Sequence, residues 1–399
     1  FYFFLVFLQL IFNVFYFKSY NKYDLDEKNK FFVEEVINNS SDVKKNIYYV
    51  VVDAMTSIKE YKKYYPNSKN TIEDFEKFIE NYELNYFDGL SAYSSTRISF
   101  HSMLNLDYKF TSSSSSRQIL DYSKLYPETM RENSINQYML FDILNSLDYK
   151  ILWEGPPFPG TCNQFNLNLC IEKDLSFLKN FFYKFVLNSY VLKTFLYNTP
   201  IDELYYRLGI KEYFNKNIYS EYEENDAIGK FIDKTKNNFD FSNGPYLFLI
   251  HHLSPHKPYL YNADCSKRDT KNDDINELYH EGYNQAYQCV LKKIKKLIKY
   301  INDNDENGII VIQGDHGADF GFSAKDKELN ALNAFNLFKL NNASCKTSDL
   351  NDKVDMINNA RFVLGCALGI KLKLLEKRVY MRLNYEKNNE KNVRLLRIK

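Results

Sequence analysis

Continuous apolar runs, each followed directly by polar residues, recur at four places along the chain. Val, Ile, Leu and Tyr dominate these runs, and none shows the spacing of an amphipathic helix. Such runs are typical of strands buried on both faces of a parallel sheet. The predicted strands lie within Asn46–Asp53, Tyr149–Trp153, Tyr246–Ile250 and Gly308–Ile312.

Helical patterns separate these strands. Segments Thr71–Asn81 and Tyr283–Asn302 are the clearest, and the second carries an apolar stripe at Ala286, Val290, Ile294, Leu297 and Ile301. Strands that alternate with helices predict an α/β domain with a mostly parallel central sheet. Helices are expected to cover both faces of that sheet.

Polar side chains follow three of the predicted strands at the point where each strand ends. Asp53 follows the first, the histidines of 251–256 follow the third, and Asp315 and His316 follow the fourth. Ligands of parallel sheets bind beyond the carboxyl ends of the strands. We therefore expect these residues, which are far apart in sequence, to meet in one site.

The first 17 residues are apolar except for Gln9 and Asn13. As a helix this segment would be roughly 25 Å long, slightly short of a bilayer core. We expect residues 1–17 to be the end of a transmembrane helix, with a signal-peptide core or a buried helix as alternatives. Residues 18–45 are a polar linker, with a short helix expected at Lys30–Asn38, and 46–399 form the main domain. A C-terminal subdomain is expected at about 331–399.

The six cysteines are spaced as three local pairs. The spacing favours three disulfides, formed in an oxidising compartment outside the cytoplasm, over six unrelated thiols. A zinc knuckle is disfavoured because no Cys-x2-Cys pair is present. The formal net charge of +1 gives no reason to expect nucleic acid as a partner. The expected pairs are Cys162–Cys170, Cys265–Cys289 and Cys345–Cys366.

Asp315, His316 and Asp53 are candidate metal ligands. A carboxylate and an imidazole side by side can bind one divalent ion if the chain turns sharply, and Gly314 and Gly317 permit such a turn. An ordinary solvated turn, and for Asp53 a helix N-cap, are the alternatives. Oxygen and nitrogen ligands of this kind suit Zn²⁺ or Mn²⁺.

Thr96 lies in a hydroxyl-rich segment that precedes a helical pattern, so a capping segment is one interpretation. His256 lies between Pro255 and Pro258, which predict a stiff loop. An imidazole held there can bind a phosphate oxygen or protonate a leaving group. Of His251 and His252, on opposite faces of the strand, we expect only one to face the site, and we assign His252 to substrate binding.

The segments that carry these candidate residues resemble, in their order along the chain, the sulfatase-like branch of the alkaline-phosphatase superfamily. The resemblance extends from about Asn46 to the end of the chain. The resemblance rests on Asn46–Asp53, Ser94–Asn105, Ser254–Pro258 and Gln313–Gly317, with weaker likeness at Asn333–Asn336 and Asn358–Gly365. Membrane-anchored phosphoethanolamine transferases and lipoteichoic acid synthases are the most similar groups. The resemblance identifies 46–399 as a sulfatase-like catalytic domain.

That resemblance implies one catalytic metal bound by Asp53, Thr96, Asp315 and His316. Thr96 would be the nucleophile that forms a covalent phospho-intermediate. His256, with His252 and Arg97, would contact the substrate. The metal would polarise phosphorus and activate the nucleophile.

Two departures from the family narrow this expectation. The sulfatase maturation signal has Cys or Ser four positions before an Arg and a Pro two before it. Here Tyr93 and Ser95 stand four and two positions before Arg97. Enzymes with two adjacent metals usually carry a second acid after the first, whereas Ala54 follows Asp53. One metal is therefore expected.

The function expected from the sequence is transfer of a substituted phosphate, of phosphoethanolamine or phosphoglycerol type. A lipid would be the donor and an envelope glycan or lipid the acceptor, at the inner membrane with the catalytic domain in the periplasm or outside the cell. Two alternatives stay open: a hydrolase of phosphate or sulfate esters, and a non-catalytic relative that binds envelope glycan.

Overall fold

A computed structural model of the chain describes most of the main domain. The described residues are 27–41, 44–108, 119–121, 138–155, 169–170, 226–237, 239–268, 277–320, 324–341, 345–387 and 390–397. The predicted end of a transmembrane helix, 1–17, lies outside them. None of the helices described is both long and apolar enough to span a bilayer.

Nine α-helices and ten strands are described. The helices are α1 (Glu27–Asn39), α2 (Ile58–Tyr64), α3 (Lys69–Asn81), α4 (Thr96–Leu104), α5 (Met139–Ser146), α6 (Ala227–Thr235), α7 (Glu277–Asn304), α8 (Ala324–Asn330) and α9 (Met356–Leu368). The strands are β1 (Ile47–Val52), β2 (Asn85–Leu90), β3 (Ile119–Asp121), β4 (Lys150–Glu154), β5 (Leu169–Cys170), β6 (Tyr246–His252), β7 (Ile309–Gly314), β8 (Asn333–Leu340), β9 (Tyr380–Lys387) and β10 (Glu390–Arg397).

A seven-stranded sheet in the order β2-β8-β7-β1-β6-β4-β5 forms the centre of the domain. Strand β1 is parallel to both β6 and β7, and β4 is parallel to β6 and β5. Only β8 runs against its neighbours within this sheet. The sheet is mixed but mostly parallel, so the predicted α/β class is confirmed.

Helices cover both faces of this sheet because alternate residues of the buried strands point to opposite sides. One face of β1 carries Tyr49 and Val51, which pack with α1, α4, α5 and α9. The other carries Tyr48, Val50 and Val52, which pack with α2, α3, α6 and α7. Strand β1 is therefore buried throughout, as its unbroken apolar sequence predicts.

Strands β3, β10 and β9 form a second, antiparallel sheet. Within the segment 331–399, β8 belongs to the large sheet whereas β9 and β10 belong to the small one. The boundary of the predicted C-terminal subdomain stays a prediction. The predicted linker helix is present and longer than expected, because α1 begins at Glu27 and packs Val36 into the core.

Two of the three expected disulfides are formed. Cys265–Cys289 joins the segment after the His256 loop to α7, and Cys345–Cys366 joins the segment after β8 to α9. Their Cα–Cα distances are 4.9 and 5.6 Å. The third expected pair includes Cys162, which lies outside the described residues.

Removing the disulfide between Cys345 and Cys366 is expected to lower the free energy of unfolding by roughly 2–4 kcal/mol, because the unfolded chain is no longer closed into a loop and gains conformational entropy. Urea unfolding of the Cys345→Ser/Cys366→Ser variant, compared with the oxidised wild type, measures this loss. Reducing agent should then change the variant less than the wild type. Free thiols at Cys345 and Cys366 in non-reducing peptide mapping would contradict both the pairing and the expected compartment.

Candidate functional site

The ends of β1 and β7 bring three candidate ligands together. Each strand pairs in register with its neighbour, Val52 lying opposite Gly314, so Asp53 and Asp315 leave the sheet side by side. Ligand atoms of Asp53, Asp315 and His316 all lie within 4.8 Å of one another. Among the described residues this is the one group of three or more His, Cys, Asp or Glu side chains with metal-binding spacing.

Tight turns after both strands make this arrangement possible. A Cβ at Gly314 would lie 2.4 Å from the carbonyl oxygen of Met55, and one at Gly317 would lie 2.2 Å from that of Asn333. Ala54 adopts a left-handed backbone, with φ 57°, and its N–H donates to Asp315 Oδ1 over 3.0 Å. The two turns are therefore fitted to each other by backbone contacts that a larger residue at either glycine would disrupt.

The distances within the cluster match those around a tetrahedral ion. His316 Nε2 lies 3.6 Å from Asp53 Oδ1 and 3.5 Å from Asp315 Oδ2. Ligand atoms bound to one tetrahedral zinc ion are about 3.3–3.4 Å apart, given bonds of about 2.0–2.1 Å. The three side chains can therefore approach one small divalent ion with little movement.

Thr96 supplies a hydroxyl to the same cluster. Its Oγ1 lies 3.4 Å from Asp53 Oδ1 and 3.3 Å from His316 Nε2. Thr96 is the first residue of α4, and the side chain of the preceding Ser95 makes no capping hydrogen bond. The structure therefore does not support the alternative in which this segment only caps the helix. The N-terminus of α4 faces the candidate site.

The protonation of the cluster also fits a metal. His316 Nδ1 lies 2.7 Å from the carbonyl oxygen of Gly317, so an N–H there donates to it and leaves the Nε2 lone pair facing the carboxylates. Asp315 is fully buried, and no donor in the described part of the chain hydrogen-bonds its Oδ2. A buried carboxylate oxygen without a donor is costly unless a cation binds it. The donor set therefore fits one divalent ion.

Burial, and secondly the Asp315 carboxylate, raise the pKa of Asp53 well above its usual range, against smaller opposing effects of His316 and Thr96. A carboxyl group that holds its proton must lose it when it binds a metal. Metal affinity is therefore expected to rise with pH.

A pocket of about 330 Å³ opens over Thr96 and His316. His256 lines this pocket, on the loop that follows β6, as the sequence predicts for a residue that contacts substrate. Several other residues of the wall could not be identified from the sequence, since nothing in their local patterns marks them. These include Ser94, Lys257, Tyr259, Tyr283, Asp319 and Glu328.

Tyr283 shows how such a residue contributes. Its hydroxyl donates to the carbonyl oxygen of Ala54 and accepts from the N–H of Thr56. These two bonds hold the turn that follows Asp53. The sequence places Tyr283 on an apolar helical stripe, which predicts burial but not this contact.

The two histidines at the end of β6 do face opposite sides, but the assignment to His252 needs correction. His251 Nε2 lies 3.8 Å from Asp53 Oδ2. His252 is fully buried on the other face, with Nδ1 3.8 Å from Asp226 Oδ1. It is therefore closed off from the pocket. The Arg97 side chain lies outside what the structure describes, so its substrate-binding role stays a prediction.

His252 should make the protein less stable in mild acid. Burial, and secondly Lys293, lower its pKa to about 3, against an opposing effect of Asp226, from the ordinary value of 6.5. As pH falls, His252 is therefore protonated in the unfolded chain before it is protonated in the folded protein. The stability that neutral His252 contributes is complete above pH 6.5 and is lost as pH decreases towards 3. Between pH 7.5 and 5.5 the loss should be on the order of 1 kcal/mol.

Urea unfolding of the metal-free protein at both pH values measures this loss, and the His252→Gln variant is the control. At pH 5.5 the variant should take up about one proton fewer on unfolding than the wild type, so its stability should depend less on pH. Equal pH dependence in both proteins would contradict a buried, neutral His252.

Residues 172–338 match the family model described as Sulfatase. Asp315 and His316 lie within the match, and Asp53 and Thr96 lie before it. This match confirms the predicted resemblance to the sulfatase-like branch and supports an enzyme of the alkaline-phosphatase superfamily. Among curated proteins, none matches this sequence.

The fold is similar to that of a solved periplasmic domain, and two further solved structures are less similar. The C-terminal periplasmic domain of EcEptC from Escherichia coli has 14% identity and a TM-score of 0.50, covering 88% of this chain and 92% of that chain. The C-terminal periplasmic domain of phosphoethanolamine transferase EptC from Campylobacter jejuni has 14% identity and a TM-score of 0.46. That match covers 82% of this chain and 91% of the EptC chain. The phosphoglycerol transferase GacH from Streptococcus pyogenes, in complex with sn-glycerol-1-phosphate, has 13% identity and a TM-score of 0.47. That match covers 86% of this chain and 80% of the GacH chain.

Proposed function

We propose that this enzyme transfers a substituted phosphate group to an envelope glycan or lipid, through a covalent intermediate on Thr96. The observation that supports this proposal most strongly is the position of Thr96 Oγ1, 3.4 Å from Asp53 Oδ1 and 3.3 Å from His316 Nε2. A hydroxyl that merely caps a helix has no reason to lie among metal-binding side chains. Here it lies there and borders an open pocket.

Asp53, Asp315 and His316, with Thr96, would hold one divalent ion, Zn²⁺ or Mn²⁺. When bound, the ion would lower the pKa of the Thr96 hydroxyl and neutralise charge on the phosphate. The N-terminus of α4 adds backbone N–H groups and a favourable dipole for the phosphate oxygens. A bound ion and the N-terminus of α4 would together place positive charge where a phosphate would bind.

The reaction would proceed in two steps. Thr96 Oγ1 bonds to phosphorus as the bond from phosphorus to the donor oxygen breaks, and His256 gives that oxygen a proton. The proton that Thr96 loses passes to solvent in this step, and Thr96 takes one back from solvent when it leaves in the next. In the second step the acceptor hydroxyl attacks phosphorus and Thr96 leaves, with His256 taking the proton back.

The open pocket agrees with a transferase, since a covalent intermediate has to admit a second substrate. Sulfate-ester hydrolysis is disfavoured, because Tyr93 stands where a sulfatase carries the residue matured to formylglycine. The proposal extends to location. Residues 1–17 would anchor the protein in the inner membrane, and the disulfides suit a catalytic domain in the periplasm or outside the cell.

Turnover of a chromogenic phosphodiester by the purified protein, with and without added Zn²⁺ or Mn²⁺, tests the proposal. We expect metal-stimulated release of the chromophore, and transfer of the remaining phosphate to a hydroxyl acceptor when one is present. Release of phosphate to water alone would favour a hydrolase of this superfamily. No bound metal and no turnover would favour a non-catalytic relative.

A further inference from the structure

His251 lies beside the candidate metal centre without belonging to its ligand set. It stands opposite Val51 in the parallel pairing of β1 and β6, and the N–H of Asp53 donates to the carbonyl oxygen of His252 over 2.9 Å. The two strands therefore hold His251 and Asp53 as fixed neighbours. His251 is 3% exposed, so its ring lies inside the protein rather than in the pocket.

The two oxygens of the Asp53 carboxylate face different groups. Oδ1 faces Thr96 Oγ1 and His316 Nε2, at 3.4 and 3.6 Å. Oδ2 faces His251 Nε2, at 3.8 Å. One oxygen is thus directed to the place of the ion, and the other to the imidazole of the neighbouring strand.

Packing restricts where the His251 ring can go. Its centroid lies 4.7 Å from that of Phe100, with the ring planes tilted by 59°. Phe100 is one helical turn after Thr96 on α4. The His251 ring therefore lies between Asp53 and the helix that carries Thr96. A small movement of the Asp53 carboxylate would shorten the 3.8 Å separation to a hydrogen bond of about 2.9 Å.

We propose that His251 is a positioning residue, whose Nε2–H donates to Asp53 Oδ2 and so directs Asp53 Oδ1 to the metal. A buried carboxylate that binds an ion through one oxygen still needs a donor for the other. Partners of this kind fix the orientation of a ligand, and removing them typically lowers metal affinity about 10–100-fold. The inference rests on the metal centre of the proposed function.

Three substitutions separate this role from packing. His251→Phe keeps a ring against Phe100 but has no donor. In His251→Gln the side-chain amide nitrogen reaches about as far as Nε2, whereas in His251→Asn it is one bond shorter. His252→Gln, on the opposite face of β6, is the matched control. For each protein, Zn²⁺ affinity is measured by chelator competition, and the visible absorption of the Co²⁺-loaded protein reports the ligand geometry.

We expect His251→Phe and His251→Asn to bind Zn²⁺ about 10–100-fold more weakly, with an altered Co²⁺ spectrum. His251→Gln should restore most of the affinity, and His252→Gln should match the wild type. If His251→Phe does not fold, the comparison of Gln with Asn decides. Wild-type affinity and spectrum in the Asn variant, or equal losses in Asn and Gln, would overturn the inference alone. A wild-type protein that binds no divalent metal would overturn the proposed function as well.

Discussion

Thr96→Ala is expected to abolish turnover, by at least about 10³-fold in kcat, while the protein stays folded. The substitution removes the oxygen that bonds to phosphorus, so no covalent intermediate can form. Thr96→Ser keeps a hydroxyl at the same place and should retain part of the activity. Metal binding should weaken but persist in both variants, because Asp53, Asp315 and His316 remain.

Ser99→Ala is the control for this experiment. Ser99 is on the same helix and is 2% exposed, and its hydroxyl donates to the carbonyl oxygen of Tyr93. Its removal tests whether losing any buried hydroxyl from α4 is enough to impair the enzyme. If Thr96 served only the helix end, Thr96→Ala would lose about 1 kcal/mol of stability and keep its activity per folded molecule. An active Thr96→Ala enzyme would point instead to Ser94 or Ser95, which also line the pocket.

Asp315→Asn should have opposite effects on metal binding and on the stability of the metal-free protein. Zn²⁺ affinity should fall by more than about 100-fold, because a charged ligand is lost and not merely its support. Without metal, however, the variant should be more stable by on the order of 1 kcal/mol, because a buried carboxylate oxygen that lacks a donor is removed. Asn retains an oxygen that can accept from the N–H of Ala54.

Chelator competition and urea unfolding at pH 7.5 measure the two effects. Asp319→Asn is the matched control, since Asp319 lines the pocket but is not one of the grouped ligands. A purely structural Asp315 would give the reverse result, with the metal-free variant destabilised and metal content unchanged.

The sequence predicts the parallel centre of the fold well because those strands are buried on both faces. The unbroken apolar runs of β1, β6 and β7 correspond to strands whose residues are all buried. Strands β2 and β8 were not predicted from the sequence, because polar and apolar residues are mixed in both. Asp88 is exposed at the sheet edge in β2, and β8 carries the buried Asn336, which the side chain of Asn359 satisfies. Such compensation depends on a distant residue and leaves no local pattern.

The candidate site could be located from the sequence for the same reason. Asp53 and Asp315 follow buried parallel strands, and the register of the sheet brings them together. The assignment of His252 rather than His251 to the site needed correction, because alternation says that the two face opposite sides but not which side holds the site. The pocket wall could not be predicted either, since Tyr259, Asp319 and Glu328 come from separate loops and a short helix.

The most direct test of the account is the intact mass of the metal-loaded protein after brief incubation with a phosphodiester donor, without acceptor. We predict an added mass equal to the substituted phosphate, and peptide mapping that assigns it to Thr96. The adduct should be absent from Thr96→Ala and should disappear from the wild type when a hydroxyl acceptor is added. Turnover with no adduct at any time, or an adduct on another residue, would contradict the account.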